Sequence, residues 1–196
     1  MVMDENLHRR SIRLPGRDYA FPGTYFVTIC SYEQRHILGK ITDSKFIPNE
    51  LGRLVRECWV AIPLHFAQVD LREFVVMPNH MHGLIQIISV PGITSIHSTS
   101  STVTPLVGAQ HCCARSAVNP DQTIKPGSLG AIVRSFKSIV ARRAHSELSW
   151  EGPIWQRNYF ERVLRSGKEF ADASRYLAEN PRKWDLDRGN HPFWMS

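Results

Sequence analysis

Three residue types in this chain can hold a metal ion or attack phosphorus, and their spacing bears on whether they act together. The first are the two histidines of Met77-Pro78-Asn79-His80-Met81-His82-Gly83. Pro-Asn is a turn pair, and the residues on either side read as β-strands, so the stretch is a hairpin with both histidines at the start of its second strand. Residues i and i+2 of a strand leave the sheet on one side. His80 and His82 therefore share a face, while Met81, Ile85 and Ile87 share the other and can enter a core. Two imidazoles about 7 Å apart at Cα can grip one divalent ion. Taken alone, a His-x-His pair is more often two ordinary histidines on a half-exposed strand. Tyr176 and Asn180 are the other two residue types. They stand four apart on a helical stretch and so share a face. If that helix crosses the histidine face of the sheet, His80, His82 and the Asn180 amide oxygen make a three-ligand metal site with Tyr176 one turn away. Three ligands leave positions open for substrate. A tyrosine hydroxyl beside a divalent ion is a nucleophile suited to phosphorus. The mixed nitrogen and oxygen set suits Mg2+ or Mn2+, and Mn2+ accepts imidazole more readily. Taken singly, Tyr176 also reads as a core-edge residue and Asn180 as a helix cap before proline.

The elements that must position these residues follow from periodicity. Residues 24–30, after Pro22-Gly23, are β-branched and aromatic and predict a first strand. A loop or short hairpin runs through 37–47. Leu51, Leu54, Val55, Cys58, Trp59 and Ile62 make one apolar face of a helix from about 49 to 63, with Pro63 at its exit. Strands are expected at 69–77 and 81–88. Residues 89–125 lose all pattern, and they read as a mobile insertion whose place over the site is open. A second helix spans 128 to about 147, buried through Leu129, Ile132, Val133, Phe136 and Val140. Arg134 and Lys137 lie on its other side, which is either a solvated face or a phosphate track. A fourth strand is expected at 153–160. A third helix follows at 168–180, stopped by Pro181, and a tail at 182–196 carries Trp184, Phe193 and Trp194. The order β-α-β-β-α-β-α predicts an α+β fold, a ferredoxin-like antiparallel sheet with two helices on one face. The histidines then emerge opposite those helices, where the last helix can reach them.

Composition narrows the function classes. The chain has 196 residues with 42% hydrophobic content, enough for a single domain with its own core. No apolar run approaches the roughly 18 residues of a membrane span, and residues 1–13 lack the apolar stretch of a secretory signal. The expected location is therefore cytoplasmic, with no membrane partner. Cys30, Cys58, Cys112 and Cys113 form neither a disulfide framework nor a C-x-x-C metal pair. The net charge is +6 and the pI about 9.4, compatible with a nucleic-acid partner. Arg9, Arg10, Arg13 and Arg17, within residues 1–22, form either a basic arm that touches phosphates or a solvated terminus.

His80-Met81-His82 after a Met-Pro-Asn turn resembles the HUH motif, two histidines flanking a hydrophobic residue, of single-tyrosine transposases from bacterial insertion sequences. The chain as a whole is more similar to the REP-associated tyrosine transposases. The matching pieces are residues 9–16 (RRSIRLPG), 23–29 (GTYFVTI), 76–83 (VMPNHMHG), 132–138 (IVRSFKS), 154–161 (IWQRNYFE) and 175–181 (RYLAENP). Six pieces in this order cover most of the chain from Arg9 to Pro181 apart from the insertion.

That resemblance implies a metal-dependent endonuclease and strand transferase, a transposase, acting on single-stranded DNA beside hairpin-forming palindromic repeats. The tyrosine would attack a phosphodiester, form a 5′-phosphotyrosine bond and free a 3′-hydroxyl. His80 and His82 match the metal-binding pair and Tyr176 the nucleophile. Asn180 matches the position four after the tyrosine, where related transposases carry Gln. Arg9, Arg10, Arg13, Arg134 and Lys137 are the candidates for holding DNA, and Trp155 could stack on a base or serve the core. Tyr159 is the rival nucleophile. The chain would act as a monomer or a homodimer. A silent nucleic-acid-binding module of the same fold and a water-using phosphodiesterase are the alternatives.

Overall fold

The computed structural model describes residues 22–88 and 125–184. Six strands and four helices follow in order: β1 (Gly23–Cys30), β2 (Gly39–Thr42), β3 (Lys45–Pro48), α1 (Glu50–Val60), α2 (Ile62–His65), β4 (Val69–Met77), β5 (His80–Ile87), α3 (Leu129–Leu148), β6 (Phe160–Leu164) and α4 (Gly167–Lys183). Four strands make one antiparallel sheet in the order β4-β5-β1-β6, and β2 and β3 form a separate hairpin. The protein is thus α+β, with the strand order expected of a β-α-β-β-α-β unit.

Alternation along the strands divides the sheet into two faces. Tyr25, Val27 and Ile29 of β1, Met81, Ile85 and Ile87 of β5, and Val163 of β6 point into the main core with α1 and α3. Phe26 of β1 and Leu84 of β5 point the other way, and Leu177 of α4 packs on them in a second, smaller core. The helices therefore cover both faces, α1 and α3 on one and α4 on the other. Trp59 of α1 is fully buried and meets Phe136 of α3 edge-on at 5.2 Å. Its indole packs closely on β5, and a Cβ on Gly83 would stand 2.2 Å from Trp59 Cζ2. The glycine after the histidine pair is thus required by close approach.

Side-chain caps set the helix starts. Asn49 accepts from Gly52 N at 2.8 Å, Ser128 from Ala131 N at 3.3 Å and Ser166 from Glu169 N at 3.2 Å. Three boundaries depart from the expectations above. The first helix ends at Val60, and Pro63 lies in the first turn of α2, where its missing N–H is no loss. The fourth strand is Phe160–Leu164 rather than 153–160. In the earlier segment Trp155 makes only an isolated bridge to Ser31. The carbonyls of Gln156 and Asn158 there accept from Lys137 Nζ, each at 2.9 Å. Finally, α4 runs through Pro181 to Lys183 instead of stopping at Asn180. Proline gives no N–H to the Leu177 carbonyl, and the extra turn is held by packing of Trp184 beyond it. Among the described residues no helix is long and apolar enough to cross a membrane.

Residues 89–124, most of the expected insertion, lie outside the described residues, as do Cys112 and Cys113. The chain leaves and returns beside one residue. Ile88 N donates to the Gln68 carbonyl at 2.8 Å, and Gln68 Nε2 donates to the Gly127 carbonyl at 3.4 Å. Both ends therefore sit at the Ile87 end of β5, about 23 Å along the strand from His80.

Candidate functional site

His80 opens β5 directly after the Pro78–Asn79 turn, paired with Met77 across the hairpin and with Cys30 across β1. The turn is tied to the loop that follows β1. Ser31 donates to the Asn79 carbonyl from its N–H at 2.9 Å and from Oγ at 2.8 Å, and Leu38 N donates to the Pro78 carbonyl at 3.0 Å. His82 stands opposite Thr28 in the register. Their side chains meet, with Thr28 Oγ1 and His82 Nδ1 at 2.7 Å. His80 Nδ1 lies 2.7 Å from Asn79 Oδ1. An amide oxygen only accepts, so Nδ1 carries the proton and the Nε2 lone pair is presented. The Thr28 hydroxyl can accept from Nδ1–H of His82, and in that tautomer the His82 Nε2 lone pair is presented in the same way. The two imidazole centroids are 4.5 Å apart.

Burial keeps these rings neutral. It pushes the His80 imidazole down to about 4, with a smaller electrostatic contribution from nearby His36. It pushes His82, which is 1% exposed, well below its ordinary value, helped by His80. A desolvated imidazole resists protonation, so both rings keep a lone pair at neutral pH.

Helix α4 lies over this face. Tyr176 rests against His82 with ring centroids 5.4 Å apart and against Phe26 at 6.2 Å. Eight residues on, the Trp184 ring is 6.0 Å from His80 and 5.4 Å from His36. Asn180 lies midway between them on the same helix face and is 3% exposed. Its Nδ2 is buried and makes no hydrogen bond among the described residues. Rotating the amide by half a turn would place Oδ1 there instead, since the two orientations fill the same space. A buried amide whose Nδ2 makes no hydrogen bond among the described residues and two imidazoles with their Nδ1 atoms engaged fit a hard or borderline divalent ion. Four of the expected site residues, His80, His82, Tyr176 and Asn180, are thus brought to one face.

The remaining expectations fall elsewhere. Tyr159 precedes β6 and packs against the main core on the α1–α3 side, with Lys137 Nζ 5.8 Å from its ring centroid. Lys137 is occupied in tying down the loop at Gln156 and Asn158, and burial lowers its ammonium to about 8. Arg134 is exposed on α3, across the sheet from the histidines. Farther along, Arg143 pairs with Glu57 and Glu147, so α3 is not a continuous open basic track. Trp155 packs on Phe136 at 5.8 Å. Arg9, Arg10 and Arg13 lie outside the described residues. Thr28, His36, Asn79 and Trp184 are site neighbours that sequence reasoning did not assign. Trp184 had a signal, since it continues the Tyr176–Asn180 spacing by one more turn. Thr28 had none, because strand register is not written locally.

No protein-family model matches the sequence. An uncharacterized protein of Haemophilus influenzae is 38% identical over 185 residues, which covers 92% of each chain. The chain belongs to the family of that protein. A REP-associated tyrosine transposase solved bound to a REP hairpin superposes with a TM-score of 0.51 at 16% identity, over 90% of this chain and 86% of that one. At that identity the likeness is one of fold. The four-stranded antiparallel sheet and its helices are the shared part.

Proposed function

We propose that this protein is a single-stranded DNA endonuclease and strand transferase that cleaves beside hairpin-forming repeats with Tyr176 as nucleophile. The observation that carries the reading is that α4, with Tyr176 and buried Asn180, lies over the sheet face that bears His80 and His82. The fold shared with a REP-associated tyrosine transposase and the basic charge support it. His80, His82 and Asn180 would hold a divalent ion, Mg2+ or Mn2+, which supplies Lewis-acid polarisation of a phosphate oxygen when bound.

The chain's own residues do the rest. Thr28 and Asn79 fix the ring orientations, so the two Nε2 atoms are aimed before substrate arrives. Packing on Phe26 and His82 holds the Tyr176 ring beside them. The phenol loses its proton, its oxygen bonds to phosphorus, and the bond from phosphorus to the 3′-oxygen breaks. That oxygen takes up a proton and leaves as a 3′-hydroxyl. The phosphotyrosine keeps the ester energy, so a second 3′-hydroxyl can displace the tyrosine without an energy source. The packing of Tyr159 against the opposite core supports Tyr176 over it as the nucleophile.

A trapping experiment tests the reading. The protein is incubated with end-labelled single-stranded hairpin DNA from its own genomic flanks, with Mn2+ or with chelator. A metal-dependent covalent adduct is expected for the unsubstituted protein and for Tyr159→Phe, and none for Tyr176→Phe. Cleavage without adduct would point to a phosphodiesterase using water, and binding without cleavage to a silent module.

A further inference from the structure

One part of this site that the proposed reaction does not use is the aromatic pair of Trp184, at the end of α4, and His36, in the loop after β1. The helix accepts Pro181 in its last turns, where the Leu177 carbonyl loses its i+4 donor. The turn gained this way carries Trp184 to a position between His80, 6.0 Å away, and His36, 5.4 Å away. Trp184 is half-buried and His36 exposed, so the pair is open to solvent while touching the histidine pair. The support beneath is rigid. The loop carrying His36 and the turn carrying His80 are joined by the bonds from Ser31 to Asn79 and from Leu38 to Pro78.

We propose that Trp184 and His36 form a shelf on which one unpaired DNA base stacks, next to the phosphate at the histidine pair. The inference rests on the single-strand reading above and adds to it how the strand is gripped. Stacking on an aromatic ring suits an unpaired base because every base offers a π-face, and the contact is tolerant of sequence. The His36 ring stands at 60° to the indole and forms a wall rather than a second layer. A base is the occupant favoured here over an apolar peptide side chain, because the rings adjoin a candidate phosphate site on a chain of charge +6.

The test compares two single strands of about twenty nucleotides, each fluorescein-labelled: oligo-dT, and an abasic strand with the same phosphates. Anisotropy titrations are run in the Tyr176→Phe background so that nothing is cleaved. Trp184→Ala is expected to weaken oligo-dT binding about tenfold and to change abasic-strand binding by no more than about twofold. Trp184→Phe, which keeps a ring, retains most of the affinity. Should Trp184→Ala unfold, His36→Ala on the exposed loop carries the same comparison, with a smaller loss confined to oligo-dT. Equal weakening on both strands, or none on either, overturns the shelf while leaving the proposed reaction standing. Base-dependent weakening without any Tyr176 adduct in the trapping assay supports the shelf and overturns the reaction. A protein that binds neither strand overturns both.

Discussion

Thr28 stands across β1 from His82 and meets its Nδ1 at 2.7 Å, so one hydroxyl decides how the buried imidazole is turned. Outer contacts of this kind typically contribute 10- to 100-fold to metal affinity. Thr28→Val keeps the shape of the side chain and removes the oxygen. Mn2+ binding by calorimetry is expected to weaken within that range while the thermal transition stays cooperative; an unchanged Kd would show that the ring is oriented by other means. His80 has the same arrangement with Asn79. The residue whose role is least visible from its type is Gly83. A methyl there would drive into the face of Trp59. Overpacking a rigid core typically costs about 1–3 kcal/mol, so Gly83→Ala should lower the urea midpoint accordingly. The loss should shrink in a Trp59→Phe background, because the two sites share one contact. Independent losses would mean that β5 yields without involving the indole.

Among the elements, the sheet behaves as a two-sided plate. One face holds α1 and α3 with the main core, and the other is given to α4 and the candidate chemistry. The first four turns of α4 are sequence-directed, from the Ser166 cap and the return contact of Glu169 to Arg165 N at 2.8 Å. Its last turn is held by what it packs against. The gap between β5 and α3 is closed at Gln68, which bonds to Ile88 on one side and Gly127 on the other. With the two ends already neighbours, replacing residues 89–124 by a short Gly-Ser linker should leave a cooperative unfolding transition with Tm changed by a few degrees. Loss of the transition would show that the segment contributes to the core.

For the whole molecule, the proposed function makes a single DNA strand the partner, and the basic charge bears on how it would be held. A chain of +6 net charge that tracks a single strand should lose affinity steeply with salt, by about 0.7 in log–log slope for each phosphate neutralised. If Arg9, Arg10 and Arg13 each hold a phosphate, removing residues 1–21 should flatten that slope by about 2. An unchanged slope would reassign the arm to solvent. The four-stranded antiparallel sheet with its helices is similar to the fold of a REP-associated tyrosine transposase at 16% identity.

Much of this was legible locally. The alternation of β5 put His80 and His82 on one face and Met81, Ile85 and Ile87 on the other, because side chains in a strand have a period of two. The faces of α1 and α3 followed from helical period, and Tyr176 and Asn180 from a spacing of four. Three features were decided only in three dimensions. Strand register set Thr28 against His82, and no local pattern encodes register. Lys137 took the carbonyls of Gln156 and Asn158 and moved the fourth strand to 160–164, a competition between distant segments. Pro181 signals a helix end by its own chemistry, yet contact of Trp184 with His36 and His80 carried α4 past it. Sequence determined which residues face together, since that depends on neighbours along the chain. Tertiary structure determined which faces meet, since that depends on burial the chain reaches only when folded.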